Sequence, residues 1–276
     1  MKDDHRFGDR RIKELLPEDV ALSWAEGPSE SQCEVPDGDR GLVGERDDCS
    51  LRGKFLVRFE HISRYSEVAR ADRGTVLDIG CGTGYGSAML SSKSKVVALD
   101  ISPSAAAFAR RSHPGPEYMV GDATAIPLAG GSVDAITAFE VIEHLAEPGR
   151  FLDECRRVLK AGGSLVMSSP NPAHFTNRLK KTFLGVPIPP RIWAGNIYHV
   201  REFTHDQMVS LLSSKGFEVT RTRGQTIALP YLRGPFTYLG KGEVYDWTFS
   251  RLGAGFPRIA YTVVYSAIST QRAGEV

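Results

Sequence analysis

The chain lacks a dominant charge: 34 Lys and Arg stand against 33 Asp and Glu in 276 residues, a formal balance of +1. No global field therefore favours nucleic acid, although a local patch is not excluded. Its four cysteines (Cys33, Cys49, Cys81, Cys155) form no C-x-x-C pair. That spacing suggests neither a zinc site nor a disulfide framework. Cys81 and Cys155 read instead as small, reduced packing residues. Long apolar runs are missing too: none reaches the length of a membrane span. No apolar segment follows the opening MKDDHRFGDRR, so no secretory leader is expected and a cytoplasmic location is. The length still allows a substantial core, enough for one α/β domain with decorations.

What the chain does have is glycine concentrated at one point. In Val76-Leu77-Asp78-Ile79-Gly80-Cys81-Gly82-Thr83-Gly84-Tyr85-Gly86-Ser87, apolar residues flank an acid, and four glycines then alternate ahead of Ala88-Met89-Leu90. The order reads as buried strand, tight turn and helix start. Glycines let the backbone come close to a ligand where a Cβ would collide, and the helix N-terminus offers unpaired N–H groups. A dinucleotide fingerprint needs G-x-G-x-x-G. Counted from Gly80 its third glycine falls on Tyr85, and counted from Gly82 on Ser87, so the strict pattern fails. Asp78 at the strand tip is a poor neighbour for a pyrophosphate and suits a ligand with a cationic end.

Strands and helices alternate from here. Strands are predicted at Val76–Ile79, Val96–Leu99, Tyr118–Val120, Val133–Ala138 and Ser164–Ser168. Helices are predicted at Tyr85–Ser92, Pro103–Ser112 and Phe151–Leu159, with Lys160–Gly163 as a turn. Repeated βα units imply a parallel sheet, doubly wound if the crossovers are right-handed. Apolar residues at helical spacing between Leu51 and Ala71 predict a helix leading into this domain. Residues 1–50, rich in charge, Gly and Ser, are expected to be poorly structured or loosely docked, leaving 51–276 as the folded domain. Residues 170–200 hold five prolines and aromatics without clear period, and read as an insertion over the site. Phe203–Lys215 returns to helix with Thr204 as N-cap; Phe217–Thr222 and Ala260–Ile268 read as strands.

The run D-I-G-C-G-T-G resembles the first motif of class I S-adenosylmethionine-dependent methyltransferases. The resemblance implies a Rossmann-like seven-stranded α/β sheet, mostly parallel, closed by a C-terminal antiparallel hairpin at the last two predicted strands. It also implies S-adenosyl-L-methionine as cofactor. Asp78, Gly80, Cys81, Gly82, Gly84 and Tyr85 would belong to its site. Asp100, twenty residues after Gly80 at the end of the second strand, would accept the ribose hydroxyls. Ile101 would pack on the adenine, with Asp122 and Ala123 of the G-D-A pattern at its amino group and Phe139 nearby.

The stretch Glu140-Val141-Ile142-Glu143-His144-Leu145 matches a branch that includes the ubiquinone-biosynthesis O-methyltransferases and the small-RNA 3′-end 2′-O-methyltransferases. On a helix, Glu140, Glu143 and His144 would share a face. In those relatives such a triad is linked to a metal that gathers adjacent hydroxyls, and the small-RNA enzymes add a histidine where His199 stands here. Glu140, Glu143, His144 and His199 are thus candidate ligands for Mg²⁺ or another divalent cation. Equally, His199, His144 and Glu143 are candidate catalytic residues that take the acceptor proton, since an imidazole titrates near neutrality.

The same resemblance extends to Arg156-Arg157-Val158-Leu159-Lys160-Ala161-Gly162-Gly163, the Ser169-Pro170-Asn171-Pro172 loop and the lid-like Glu60-His61-Ile62-Ser63-Arg64-Tyr65. It covers roughly residues 55–220. The expected activity is O-methylation of a small-molecule hydroxyl on a sugar, glycan precursor or natural product, with a small-molecule acceptor as partner. Trp193, Tyr198, Tyr231, Phe236, Tyr238 and Trp247 are candidates for the acceptor pocket. N- or C-methylation, RNA 3′-end modification and an inactive cofactor-binding partner subunit are the alternatives. The sequence leaves the oligomeric state open, a homodimer included.

Overall fold

A computed structural model describes residues 55–185, 199–227 and 252–271. The chain divides after Gly121 into two compact units.

In the first unit, α1 (Phe55–Val68) precedes β1 (Thr75–Ile79), α2 (Tyr85–Ser91), β2 (Lys95–Asp100), α3 (Pro103–Ser112) and β3 (Glu117–Val120). The strands run parallel in the order β3-β2-β1, with Asp78 opposite Ala98 and Asp100 opposite Val120. Val76, Leu77, Ile79, Ala98 and Leu99 are almost wholly buried, as in parallel strands covered on both faces. Each helix starts where local chemistry allows. Gly84 caps α2 in the left-handed conformation at φ 87°. Ser102 caps α3 by accepting the Ala105 N–H, with Pro103 just inside the helix.

The second unit holds β4 (Val133–Phe139), a single 3₁₀ turn (Ile142–His144), α4 (Pro148–Val158), β5 (Leu159–Pro170), α5 (Phe175–Leu184), α6 (His205–Ser214), β6 (Phe217–Gln225) and β7 (Thr262–Ser269). Its strand order is β4-β5-β7-β6: β4 and β5 are parallel, and β7 runs antiparallel to both neighbours. The seven strands thus make the mostly parallel α/β sheet with an antiparallel C-terminal pair that the resemblance implies. Phe151, Leu152, Cys155 and Val158 form the buried stripe of α4. On α6, Thr204 accepts the Gln207 N–H while the Gln207 side chain accepts the Thr204 N–H, a reciprocal capping box.

Two local expectations are corrected. Lys160–Gly163 is not a turn ahead of the strand: β5 begins at Leu159, and these residues bulge between the Val133–Leu159 and Ala135–Ser164 pairings. Gly162, at φ 70°, permits the bulge. Within the 170–200 stretch, Phe175–Leu184 is a helix. Phe175, Leu179 and Phe183 recur every four residues along it, while Asn177 is its one buried side chain.

Candidate functional site

In the first unit the glycine turn is tied to the end of β2. The Gly80 and Cys81 N–H groups donate to the Leu99 carbonyl at 2.8 and 3.2 Å, and Gly84 N–H to the Cys81 carbonyl at 3.0 Å. Asp100 completes the tie: one carboxylate oxygen accepts the Gly82 N–H and the other the Ser102 N–H, both at 2.9 Å. Asp100 is buried while Ile101 beside it is 54% exposed. A buried carboxylate and an exposed apolar side chain thus adjoin at one strand end.

Two glycines serve packing. A Cβ on Gly84 would come within 2.6 Å of the Ala109 Cβ and 2.8 Å of the Tyr118 hydroxyl. One on Gly86 would lie within 2.5 Å of three carbons of the Tyr65 ring. Tyr65, from α1, sits over the first turn of α2, with its ring edge-on to Tyr85 at 5.8 Å between centroids. Its hydroxyl donates to Asp78 at 3.2 Å, and Ser87 donates to the same carboxylate at 2.6 Å. Burial, then the Asp78 charge, pushes the Tyr65 hydroxyl well above its usual pKa, so it remains a donor. Asp78 has no exposed surface. The carboxylate anticipated for a cationic ligand end thus binds Tyr65 and Ser87 here. The Cys81 side chain likewise turns inward, against Ala98, Ala109 and Tyr118.

In the second unit, Asp122 accepts the backbone and hydroxyl of Thr124 at 2.7 and 2.8 Å on one oxygen, a local turn that holds Asp122 and Ala123 in place. Phe139 is buried at the end of β4. Beyond it the expected helical face does not form. Glu140 has φ 55°, which breaks any helix at its first residue, and its carboxylate accepts the Ser168 hydroxyl at 2.7 Å.

Glu143, His144 and His199 do come together. Their candidate ligand atoms lie within 4.8 Å of one another, and Glu140 is not in this group. The Glu143 carbonyl accepts the Val200 and Arg201 N–H groups at 2.8 and 3.1 Å, which brings His199 back to the 3₁₀ turn. The two imidazoles meet edge to face, with centroids 4.7 Å apart and planes at 88°. The Nδ1 of His199 lies 3.2 Å from Glu202 Oε1, a pair with side chains only 11% exposed. That contact sets the tautomer and directs the other ring nitrogen outward from the pair. Three carboxylate and imidazole donors at this separation approach the about 4.2 Å spanned by opposite ligands of an ion with bonds near 2.1 Å.

Sequence reasoning missed Tyr65, Ser87, Ser168 and Glu202 as partners of these groups. The H-x-x-E spacing of His199 and Glu202 was the one available signal. Trp193, Tyr198, Tyr231, Phe236, Tyr238, Trp247 and the N-terminal 50 residues lie outside the described residues.

A methyltransferase-domain family model matches residues 77–167. Over 185 residues the chain is 33% identical to a probable S-adenosylmethionine-dependent methyltransferase of Mycolicibacterium smegmatis, covering 66% of this chain and 67% of that protein. A probable S-adenosylmethionine-dependent methyltransferase of Mycobacterium tuberculosis is 34% identical over 180 residues. That match spans 64% of this chain and only 61% of the relative. The fold is shared with a Thermotoga maritima structure described as an S-adenosylmethionine-dependent methyltransferase and possible histamine N-methyltransferase. The TM-score is 0.58 at 22% identity, over 84% of this chain and 98% of the other.

Proposed function

The chain belongs to the S-adenosylmethionine-dependent methyltransferases, and from that premise we propose that it methylates a hydroxyl of a small molecule, of the sugar, glycan-precursor or natural-product class. S-adenosylmethionine supplies a methyl group already activated by its sulfonium charge. What the protein adds is alignment of the reactants and a place for the acceptor proton. The turn at Gly80, Gly82 and Gly84 lets the backbone approach the donor, Asp100 accepts its ribose hydroxyls and Ile101 covers its base. Asp78 acts behind that turn, fixing it through Ser87 and Tyr65.

The observation that carries the acceptor-side reading is the His199–Glu202 contact. A carboxylate on Nδ1 holds the imidazole in one tautomer, leaves Nε2 to accept a proton and stabilises the imidazolium that follows. His144 and Glu143 pack against this imidazole and fix its orientation. The test is a screen of candidate acceptors with isotope-labelled donor, followed by His199→Ala on the acceptor found. Turnover should fall by about 10²–10⁴-fold, while calorimetric binding of S-adenosylhomocysteine stays unchanged. Undiminished turnover in His199→Ala would refute the assignment.

A second reading has its own observation, the convergence of Glu143, His144 and His199. One carboxylate and two imidazoles suit a divalent ion such as Mg²⁺, Mn²⁺ or Co²⁺, with Glu202 as the outer partner of His199. Such an ion lowers the pKa of a hydroxyl that it binds. Here excess EDTA should abolish turnover and added Mg²⁺ or Mn²⁺ restore it. Full turnover in EDTA rejects the ion and leaves His199 acting alone.

A further inference from the structure

Helix α5 has an unusual balance of surfaces. Its sequence, FTNRLKKTFL, buries only Asn177. Polar bonds hold its start: Asn177 donates to the Pro172 carbonyl at 2.9 Å and Arg178 Nε to the Ala173 carbonyl at 2.7 Å. Its large apolar side chains face outward, with Leu179 44%, Phe183 75% and Leu184 71% exposed. Leu179 and Phe183 are four residues apart and share a face. In a surface helix such residues normally face the core; here they add a contiguous apolar face to the surface.

The charges narrow the occupant. Arg178 and Lys181 stand exposed beside the apolar positions, and the helix contains no Asp or Glu. At the start of the helix Phe175 N–H donates to the Ile259 carbonyl at 2.8 Å, in a loop that exposes Phe256 and Tyr261. Apolar side chains beside basic ones match a lipid surface with anionic headgroups. A second copy meeting α5 with its own α5 would set like charges together, and nucleic acid would leave the apolar face in water. At ten residues the helix is about 15 Å long, half the thickness of a bilayer core, so it would lie in the headgroup plane.

We infer that α5 docks this protein on an anionic membrane surface, which would give it access to acceptors held at that surface. The docking stands apart from the methyl-transfer reading and is measured on the full chain with neither donor nor acceptor present.

The test is co-sedimentation with vesicles of phosphatidylcholine alone and of phosphatidylcholine mixed with phosphatidylglycerol. Binding should favour the mixed vesicles and weaken as salt is raised. Lys181→Gln should cost about fivefold in partitioning. Phe183→Ser should lower it further without changing the melting temperature, and Lys95→Glu on the first unit should leave it unchanged. No partitioning, equal partitioning into both vesicles, or insensitivity to Lys181→Gln overturns the inference. So does a melting temperature lowered by Phe183→Ser, which would show the face to be packed. Self-association or RNA binding in place of vesicle binding also overturns it.

Discussion

Replacing Gly86 with alanine tests whether α1 is locked to the donor loop through Tyr65. Gly86 is the second residue of α2, where alanine alone would add about 1 kcal/mol of helix stability. Against that, the new Cβ would fall within 2.5 Å of three Tyr65 ring carbons, where ordinary carbon contacts lie near 3.5–4 Å. The ring must retreat by about 1 Å, with an overpacking cost of about 1–3 kcal/mol. Its hydroxyl then loses Asp78, a bond already at 3.2 Å, for a further ~1.5–3 kcal/mol because the acceptor is charged. The net expectation is a loss of about 2–4 kcal/mol by denaturant unfolding, together with weaker S-adenosylhomocysteine binding by calorimetry. The same change in a Tyr65→Ala background removes both penalties and should be neutral or stabilising, so the coupling between the two sites should reach about 3–5 kcal/mol. Gly86→Ala costing under about 0.5 kcal/mol, or costing the same with and without Tyr65, would refute the lock.

Three further outcomes follow from the contacts. Glu202→Gln leaves His199 in place but weakens control of its tautomer and charge; turnover should fall about 10–100-fold with donor affinity unchanged in a calorimetric titration. Glu154 accepts two bonds from Arg157 at 2.7 and 2.8 Å and one from the Ile126 N–H at 2.8 Å. The Arg157 hydrogen bonds, opposed by some burial, hold its carboxyl below the ordinary glutamate range. Its stabilisation is therefore complete above the unfolded pKa and is lost as pH falls through the folded one. The stability gap between wild type and Glu154→Gln, measured by urea unfolding, should be constant near neutrality and close in acid. Thr204→Ala removes the α6 cap and should cost about 1 kcal/mol in the same assay.

Much of the scaffold was legible because it follows from periodicity and turn chemistry. The glycine run marked the β1–α2 junction, Pro103 marked the start of α3, and Thr204 marked that of α6. These signals act over a few residues and survive any tertiary context. Three features did not announce themselves. A left-handed backbone at Glu140 has no local pattern in a non-glycine residue, so a helical face was expected where the chain turns away. The Tyr65–Asp78 bond joins residues thirteen apart whose contact depends on how α1 packs. Helix α5 was hidden because its short apolar run at four-residue spacing lies between Pro172 and Pro187, and the prolines marked the whole stretch as irregular. At the candidate site, His199 joins His144 through backbone bonds to the Glu143 carbonyl, which no side-chain motif encodes.

His199 is held by its successors in the chain: Val200 and Arg201 bind the Glu143 carbonyl, Glu202 binds the imidazole, and Thr204 opens α6. The imidazole and the helix cap therefore hang on separate bonds within one short segment. A proline at Val200 or Arg201 would take away one N–H donor and free the histidine to swing, while the Thr204–Gln207 pair still starts α6. Position of the ring and stability of the helix can thus change independently, although only a few peptide units lie between them.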